Sequence, residues 1–269
     1  MLDSMKISEV ECKTALSRST LPGLEYSLNP YRGCMHNCAY CYAPYVLRLP
    51  RDDWGKTVSV KKNIPLVLSK ELKTKKHGVV GISTVTDPYQ PVEKTYQLTR
   101  LCLEQLLHYD FPAHVQTKSA LVTRDLDLLS RFSDAQVMFS IGTIRENERK
   151  ILEPGSSPIQ TRFAALKQCS EAGVRTAVFF GPMYPTITLG EISSFLDTIK
   201  EAGVEELWVD RLRLRPGIWE NMQKTLQDNK EIFEAFTYHV REEKKDYEVL
   251  RENLLKKAKQ RNLKLIDAF

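Results

Sequence analysis

The amino-acid sequence predicts an α/β fold in which parallel strands form a barrel or partial barrel wrapped by helices. Short apolar runs recur along the chain, and amphipathic stretches with helical spacing fill the intervals between them. About six such strand–helix units over some 200 residues fit a barrel better than a small open sheet. A doubly wound sheet is the alternative. The 269 residues, of which 42% are hydrophobic, suffice for a large core.

Five segments have the pattern of buried parallel strands, since each is short and apolar on both faces, and a sixth segment has a weaker strand signal. In chain order they are Glu25–Pro30, which has the weakest signal, Val79–Val85, Ala113–Thr117, Gln136–Ile141, Arg175–Phe180 and Glu206–Asp210. Their β-branched and aromatic residues favour a sheet. We therefore expect these segments to form the core of the barrel.

Three long helices are predicted between these strands. Val92–His108 carries apolar residues at helical spacing. Ser157–Ala172 begins with Ser-Ser-Pro and is followed by Gly173, which are start and stop signals for a helix. Leu189–Ala202 is likewise followed by Gly203. The alternation of these helices with the strands predicts βαβ units.

The sequence divides into three regions: an N-terminal extension at residues 1–24, the barrel at 25–215 and a C-terminal extension at 216–269. The last region is predicted to be helical and is highly charged between Asn221 and Asn262. Its basic run from Lys256 to Arg261 is typical of a solvated helical face. A surface for an anionic partner is the alternative.

The overall charge and hydropathy exclude a membrane protein. The chain has 39 Lys and Arg and 34 Asp and Glu, a net charge of +5, which permits an acidic partner without indicating one. No apolar stretch approaches the roughly 18 residues of a membrane span, and the N-terminus lacks the apolar core of a signal peptide. We therefore expect a cytoplasmic, enzyme-sized domain with no membrane contact.

The six cysteines fall into two classes. Cys34, Cys38 and Cys41 lie within eight residues, whereas the others are scattered at positions 12, 102 and 169. A disulfide scaffold would spread its cysteines along a small secreted chain. The pattern instead indicates one set of ligands in a reducing compartment, with Cys102 and Cys169 as core residues of helices.

The C-x3-C-x2-C spacing brings three thiolates close together, and a soft metal or an iron–sulfur cluster would bind all three. A [4Fe–4S] cluster held by three thiolates keeps one iron open to an external ligand. A structural zinc site needs four ligands, and His36 or Cys12 could complete one. A chance grouping of structural cysteines is the remaining alternative.

The residues around these cysteines resemble a known signature. Asn29-Pro30-Tyr31-Arg32-Gly33-Cys34 runs into Cys38-Ala39-Tyr40-Cys41-Tyr42-Ala43. This is similar to the motif of radical S-adenosylmethionine (SAM) enzymes, and more narrowly to that of the spore photoproduct lyase-like branch. The resemblance continues through Thr86–Pro91, Glu153–Gly155, Arg162 and Gly181–Met183, so that it covers Tyr26 to Leu212.

The resemblance implies a partial (β/α)6 TIM-type barrel with a [4Fe–4S] cluster on Cys34, Cys38 and Cys41. In that family SAM chelates the open iron, and the reduced cluster gives SAM one electron, which breaks a C–S bond of SAM. The resulting 5′-deoxyadenosyl radical abstracts a hydrogen atom from the substrate. A low-potential electron donor of the flavodoxin or ferredoxin type is the implied partner, and a nucleic acid or a protein is the favoured substrate. A non-catalytic iron–sulfur sensor is the alternative function.

Four of the implied SAM-binding residues follow the first two strands of the barrel. Tyr40 and Tyr42 resemble aromatic residues that pack near the adenine, although filling of the core would also suit a loop aromatic. Thr86 and Asp87 end a predicted strand, where a hydroxyl and a carboxylate can hold the ammonium group of SAM. The alternative for Asp87-Pro88 is a simple turn.

The other three implied SAM-binding residues are associated with later strands. Lys118 resembles a lysine that contacts the cofactor, where a cation can pair with the SAM carboxylate. Ser140 interrupts an apolar strand, and a ribose hydroxyl would satisfy its buried polar group. Arg162 resembles the arginine that binds the cofactor carboxylate, whereas an internal salt bridge with Glu153 is the alternative.

One position departs from the pattern of spore photoproduct lyase. The alignment places Thr84 where that enzyme has its hydrogen-donor cysteine, and no cysteine lies between Val79 and Leu101. A threonine O–H bond is too strong to replace a thiol as a hydrogen-atom donor. We therefore do not expect the lyase reaction itself.

Overall fold

A computed structural model describes residues 5–267, without the side chains of residues 241–247. The strands are β1 (Lys6–Val10), β2 (Leu16–Arg18), β3 (Tyr26–Leu28), β4 (Tyr31–Arg32), β5 (Thr57–Lys61), β6 (Val80–Ile82), β7 (Ala113–Thr117), β8 (Ala135–Ser140), β9 (Arg175–Met183), β10 (Glu206–Arg211) and β11 (Lys264–Asp267). The helices are α1 (Ala43–Leu47), α2 (Ile64–Leu72), α3 (Glu93–Tyr96), α4 (Leu98–His108), α5 (Leu126–Leu129), α6 (Glu146–Leu152), α7 (Ile159–Glu171), α8 (Leu189–Glu201), α9 (Ile218–Leu226) and α10 (Lys230–Gln260).

The main sheet has the strand order β11-β10-β9-β8-β7-β6-β3-β2. Neighbouring strands run parallel except β2, which is antiparallel to β3. Within the described residues no strand pairing joins β2 to β11, so the sheet stays open, as in a partial barrel. The α/β fold with a mostly parallel sheet is therefore confirmed.

All six predicted strands are present, as β3 and β6–β10, and most of them differ from the prediction in their bounds. β7 has the predicted bounds, and β9 extends beyond the predicted end at Phe180 to Met183. The prediction of a strand over Val79–Val85 is too long, because β6 ends at Ile82. Ser83 has a φ of 66°, a left-handed conformation that cannot continue a strand.

The predicted helix over Val92–His108 is wrong in one respect, because it is divided into α3 and α4 at Gln97. Gln97 has a left-handed φ of 51°. The buried Glu93 carboxylate accepts hydrogen bonds from the backbone N–H groups of Thr99 (3.0 Å) and Arg100 (3.4 Å). It thereby satisfies two N–H groups that the first turn of α4 leaves without partners. By contrast, α8 begins at the predicted Leu189.

The region beyond residue 215 contributes to the sheet and is not only helical. β11 pairs in parallel with β10, with Glu206 opposite Lys264 and Trp208 opposite Ile266. The helices α9 and α10 connect these two strands, so this region adds a further crossover unit. The boundary at residue 215 stays a prediction. None of the helices in the described part of the chain is long and apolar enough to cross a membrane.

A second, three-stranded sheet with the order β1-β5-β4 carries the chain towards the cysteines. β5 pairs with both of the other strands, in parallel with β1 and antiparallel with β4. The cysteine motif begins two residues after Arg32, at the end of β4. The region predicted as an N-terminal extension therefore supplies one strand to each sheet, β1 and β2.

Candidate functional site

Residues 34–41, the cysteine loop, connect β4 to α1 and carry the three predicted ligands. All three thiols are free; Cys34 and Cys38 are buried, and Cys41 is partly buried. Burial raises the pKa of Cys34 well above its usual value and that of Cys38 to about 12. The raised pKa values mean that burial disfavours the thiolate form of these cysteines. Bound metal ions would offset this free-energy cost.

The start of the cysteine loop is held by the Thr86–Pro91 motif. The buried Gln90 side chain accepts a hydrogen bond from the Met35 N–H (2.9 Å) and donates to the Gly33 carbonyl (3.2 Å). Thr86 Oγ1 donates to the same carbonyl at 2.6 Å and accepts from the Gln90 amide at 2.9 Å. Thr86 therefore uses its hydroxyl group to position the loop.

The other side of the cysteine loop is held by the end of α6 and by the segment that follows it. The Ala39 N–H donates to the Leu152 carbonyl (2.8 Å), and the Gly155 N–H donates to the His36 carbonyl (3.1 Å). A Cβ atom on Gly155 would lie 2.3 Å from the Met35 carbonyl oxygen. Glycine is therefore required where Glu153–Gly155 meets the loop.

Asp87 connects the cysteine loop to the end of β7. One carboxylate oxygen accepts from Thr117 Oγ1 (2.7 Å) and the Tyr89 N–H (2.9 Å). The other accepts from the Lys118 N–H (2.8 Å) and lies 3.2 Å from His36 Nδ1. Burial alone would raise the pKa of Asp87, but these partners lower it to about 2. Because both oxygens have protein partners, the geometry favours a positioning role over contact with the SAM ammonium group.

Arg162 lies in a buried network rather than facing an open site. Its side chain is 1% exposed, and Nη2 lies 2.5 Å from Glu153 Oε2. Nη1 donates to the Ser140 carbonyl and Nε to the Ser157 carbonyl, both at 2.8 Å. The structure therefore has the internal salt bridge, and the direct contact with a cofactor carboxylate is not what this geometry favours.

Tyr40 belongs to the same network, because its hydroxyl donates to the Glu153 carboxylate. Its ring packs edge-to-face against Tyr184, with 5.8 Å between the ring centroids. Burial acts to raise the pKa of Glu153, but the charges of Arg162 and Lys118 outweigh it and lower the pKa to about 2. Glu153 is therefore an ionised carboxylate within this network at neutral pH.

Lys118 differs from these residues because its charged group is not paired. Among the described residues no hydrogen bond or ion pair engages Nζ, which lies 5.8 Å from the centre of the Tyr40 ring. Burial acts to lower the pKa of Lys118, but nearby Glu153 and Cys38 raise it overall. The site thus holds a cation beside a cysteine of the loop, and this cation is available to an anionic group.

Two further predicted residues lie at the ends of strands or beside the loop. Ser140 is buried at the end of β8, and its Oγ accepts from the Gln116 side chain at 3.1 Å. Tyr42 is 43% exposed, and its hydroxyl donates to the Thr84 carbonyl at 2.9 Å. Tyr42 therefore joins the cysteine loop to the segment after β6.

A model of the radical SAM superfamily matches residues 28–199, which is more than half of the chain. The chain is a member of the radical SAM superfamily. Among curated proteins, an uncharacterized protein of Methanocaldococcus jannaschii is 35% identical over 191 residues, which are 70% of this chain and 71% of that protein. The radical SAM Nα-GlyT isomerase of a Pseudomonas phage is 25% identical over 160 residues, 59% of this chain and 33% of the isomerase.

Solved radical SAM structures share the fold. A spore photoproduct lyase mutant gives a TM-score of 0.72 at 14% identity, over 97% of this chain and 82% of that one. Streptococcus suis SuiB bound to S-adenosylmethionine gives 0.57 at 15% identity, over 99% of this chain and 51% of SuiB. At these identities the similarity concerns the fold alone. The fold and the family together establish a radical SAM enzyme.

The residues present fit the iron–sulfur cluster and SAM that radical SAM membership implies. Three free thiols share one loop whose backbone is fixed from both sides, and an unpaired ammonium group lies nearby. In the described part of the chain, no three His, Cys, Asp or Glu side chains converge on a point for one metal ion. The thiolates of a four-iron cluster bind different iron atoms and need not converge.

Sequence reasoning missed several residues that hold the radical SAM cysteine loop. Gln90 lies within a motif that the resemblance included, so the motif itself was a signal. Arg51 donates to the Cys38 carbonyl (2.6 Å), and Asn221 of α9 donates to the Ala39 carbonyl (2.8 Å). Neither of these two residues belongs to a recognisable motif. Only the folded chain brings them to the loop.

Proposed function

We propose that Cys34, Cys38 and Cys41 bind one [4Fe–4S] cluster and leave one iron atom for SAM. The observation that carries this proposal is the set of three free thiols on one loop with a fixed backbone. When bound and reduced, the cluster supplies the electron that splits SAM into methionine and a 5′-deoxyadenosyl radical. The protein positions SAM and the substrate and excludes water from them.

Lys118 and Ser140 are our candidates for direct contact with SAM. The unpaired Lys118 ammonium group suits the SAM carboxylate, since a charge-assisted hydrogen bond is strong in a partly buried site. The Ser140 hydroxyl accepts one hydrogen bond and can donate to a ribose oxygen. Tyr42 and the ring of Tyr40 are the candidates for packing near the adenine.

Thr86, Asp87 and Arg162 act in this proposal as positioning residues. Thr86 and Asp87 hold the cysteine loop against β6 and β7. Arg162 keeps the Glu153 carboxylate charged, and Glu153 in turn orients Tyr40. Their substitution should disturb the placement of the loop without removing a direct SAM contact.

The cluster assignment is tested by replacing all three loop cysteines with alanine. After anaerobic reconstitution, this variant should have no brown absorbance, no stoichiometric iron and sulfide, and no reductive SAM cleavage with dithionite or a flavodoxin- or ferredoxin-type donor. The wild-type protein should cleave SAM slowly even without substrate. Full iron content in the triple variant would refute the assignment.

We propose a nucleic acid as the substrate class. α1 presents Tyr45, which is exposed, and the Arg215 guanidinium lies 5.7 Å from the centre of its ring. Such an aromatic–arginine pair beside the cysteine loop suits base stacking and phosphate contact. The name of one similar structure supports the class, because it is spore photoproduct lyase complexed with a dinucleoside spore photoproduct.

The substrate proposal is tested by hydrogen transfer. Deuterated DNA or RNA is supplied to the reduced enzyme, and deuterium is measured in 5′-deoxyadenosine by mass spectrometry. A Tyr45→Ala/Arg215→Ala variant should retain basal SAM cleavage but bind oligonucleotides about tenfold more weakly. Deuterium transfer from peptides, but not from DNA or RNA, would refute the nucleic-acid proposal and indicate a protein substrate.

The lyase reaction itself is not part of the proposed function. Thr84 aligns with the hydrogen-donor cysteine of spore photoproduct lyase, whereas Cys102 and Cys169 are fully buried in helices α4 and α7. The protein should therefore cleave SAM but restore no thymines in spore-photoproduct DNA. Efficient repair over many turnovers would overturn this expectation. The non-catalytic sensor is not favoured, because the chain belongs to the radical SAM superfamily and an unpaired cation lies beside its cysteine loop.

A further inference from the structure

Residues 51–55 form an outer wall against the cysteine loop. Arg51 begins a 3₁₀ turn over Arg51–Asp53, and its guanidinium donates to the carbonyls of Cys38 (2.6 Å), Ala39 (3.1 Å) and Cys41 (3.1 Å). One side chain thus fixes three backbone groups of the C-x2-C turn. The planar fork of arginine suits such multiple bonding, which lysine cannot reproduce.

Gly55 brings the end of this wall into close contact with the loop. A Cβ atom at this position would lie 2.3–2.6 Å from the Asn37 side chain. The position therefore excludes any side chain, and its φ of 80° also favours glycine. Between Arg51 and Gly55, the wall has little freedom to move relative to the loop.

Trp54 lies between these two anchor points and faces the cysteines. It is 3% exposed and packs in a small apolar cluster with Cys34 and Ala43, against which Cys41 and Val85 also pack. Its indole Nε1–H is buried and has no hydrogen-bond acceptor among the described residues. Trp208, by comparison, has a carboxylate acceptor 3.3 Å from its Nε1.

A buried N–H group without an acceptor costs about 1–3 kcal/mol. Its position against two cluster cysteines suggests an acceptor that the polypeptide does not provide. Cysteine and sulfide sulfurs of an iron–sulfur cluster accept N–H hydrogen bonds, and such bonds raise the reduction potential because they stabilise the more negative reduced state.

We propose that Trp54 donates its indole N–H to a sulfur atom of the cluster site and thereby raises the reduction potential of the cluster. Arg51 and Gly55 position the indole by fixing residues 51–55 against the loop. This inference rests on the proposed function, since it requires the cluster. Trp54 acts through the cluster, without contact to the substrate.

The first test detects the hydrogen bond directly. The protein is labelled with nitrogen-15 tryptophan, reconstituted, reduced and measured by pulsed electron paramagnetic resonance. The wild type and a Trp208→Phe control should show a weak nitrogen-15 coupling to the cluster, and Trp54→Phe should lack it. Absence of the coupling in the wild type would overturn the proposal, and this result does not depend on whether Trp54→Phe folds.

The second test measures the potential of the same proteins. Trp54→Phe keeps an aromatic ring but loses the N–H donor, so the reduction potential of its cluster should be lower. At a fixed solution potential, the ratio of reduced to oxidised cluster should fall about tenfold, which corresponds to about 59 mV. Trp208→Phe should leave the ratio unchanged. An unchanged potential in a Trp54→Phe protein with full iron content would contradict the proposal. A wild type that binds no iron would instead refute the proposed function.

Discussion

Two buried polar regions of this chain differ in how completely their charged groups are paired. In the first region, which we call the acidic pair, Glu93 and Asp125 are fully buried. Arg124 donates to both carboxylates at 2.7 Å, and Arg100 donates to Asp125 at 2.9 Å. The hydroxyl of Tyr89 gives Asp125 a further donor at 3.0 Å.

The second region surrounds the cysteine loop, where the backbone is held as firmly but several side chains are not paired. The Lys118 ammonium group and the Trp54 N–H have no hydrogen-bond partner within the described chain. The three loop thiols form no disulfide and bind no group within the described chain beyond backbone hydrogen bonds. Complete pairing is typical of a region that only stabilises the fold, whereas unpaired buried donors beside potential ligands indicate a binding site.

The largest effect is expected from breaking the acidic pair with Asp125→Asn. The loss of one buried charge should lower the free energy of unfolding by about 3 kcal/mol, the lower end of the usual range, because Arg100 and Arg124 each keep a second acidic partner. Urea unfolding checks this. Substitution of the exposed neighbour, Asp127→Asn, should lower the free energy of unfolding by less than about 1 kcal/mol. Equal effects of the two substitutions would contradict the claim that the buried carboxylate of the acidic pair, rather than its exposed neighbour, stabilises the fold.

A pH titration sharpens the comparison at Glu153. Its pKa is lowered from 4.5 to about 2, so its charge stabilises the fold fully above pH 4.5, and this contribution is lost as the pH falls towards 2. The contribution is on the order of 3 kcal/mol. In urea unfolding of the apoprotein, Glu153→Gln should have a lower free energy of unfolding than the wild type at pH 7. This difference between the two proteins should become smaller as the pH falls from 4.5 to 2. A difference that does not change with pH would count against the ion pair.

Lys118→Met tests the unpaired cation. The Lys118 ammonium group makes no hydrogen bond or ion pair with the described protein, so the substitution removes only its electrostatic attraction to Glu153. The free energy of unfolding should therefore fall by less than it does in Glu153→Gln. The affinity of the cluster-loaded protein for SAM should drop by about 10–100-fold, or about 1.5–3 kcal/mol. Isothermal titration calorimetry measures it, with the exposed Lys150→Met as the matched control. Unchanged SAM affinity would exclude Lys118 from the cofactor site.

The smallest effect is expected from the three cysteines outside the loop. Cys12→Ala, Cys102→Ala and Cys169→Ala should each leave the iron and sulfide content unchanged. Alanine avoids burying a hydroxyl group at the two fully buried positions, 102 and 169. Loss of iron from a folded variant would show that the ligand set extends beyond the loop.

The parts of this fold that the sequence predicts are those with a strong local pattern. β7, β8 and β10 are apolar runs in the core of the sheet, and their signal depends on their own residues. β1 was missed because all five of its residues are exposed, so no apolar run marks it. β11 was missed because it is four residues long and only partly buried. The break at Gln97 depends on a carboxylate that caps the next helix, which no periodicity shows.

In the candidate site, too, only the features with a local sequence pattern could be predicted. The spacing of the cysteines is a local signal, and the structure places all three on one loop. The residue types at Asp87 and Arg162 suit a cofactor, but the sequence does not show which acceptors and donors their neighbours already supply. Trp54 carries no sequence signal, because its importance lies in the absence of an acceptor in the folded state.

The hydrogen bond from Asn221 to the Ala39 carbonyl bears on the order in which the protein matures. The two residues are separated by 182 positions, so the cysteine loop leaves the ribosome well before α9 is made. At about 5–20 residues per second, this interval is about 9–36 s. During that time the thiols are on a loop that still lacks one of its anchors. Cluster delivery to the completed chain, rather than to the nascent one, is the sequence of events that this connection favours.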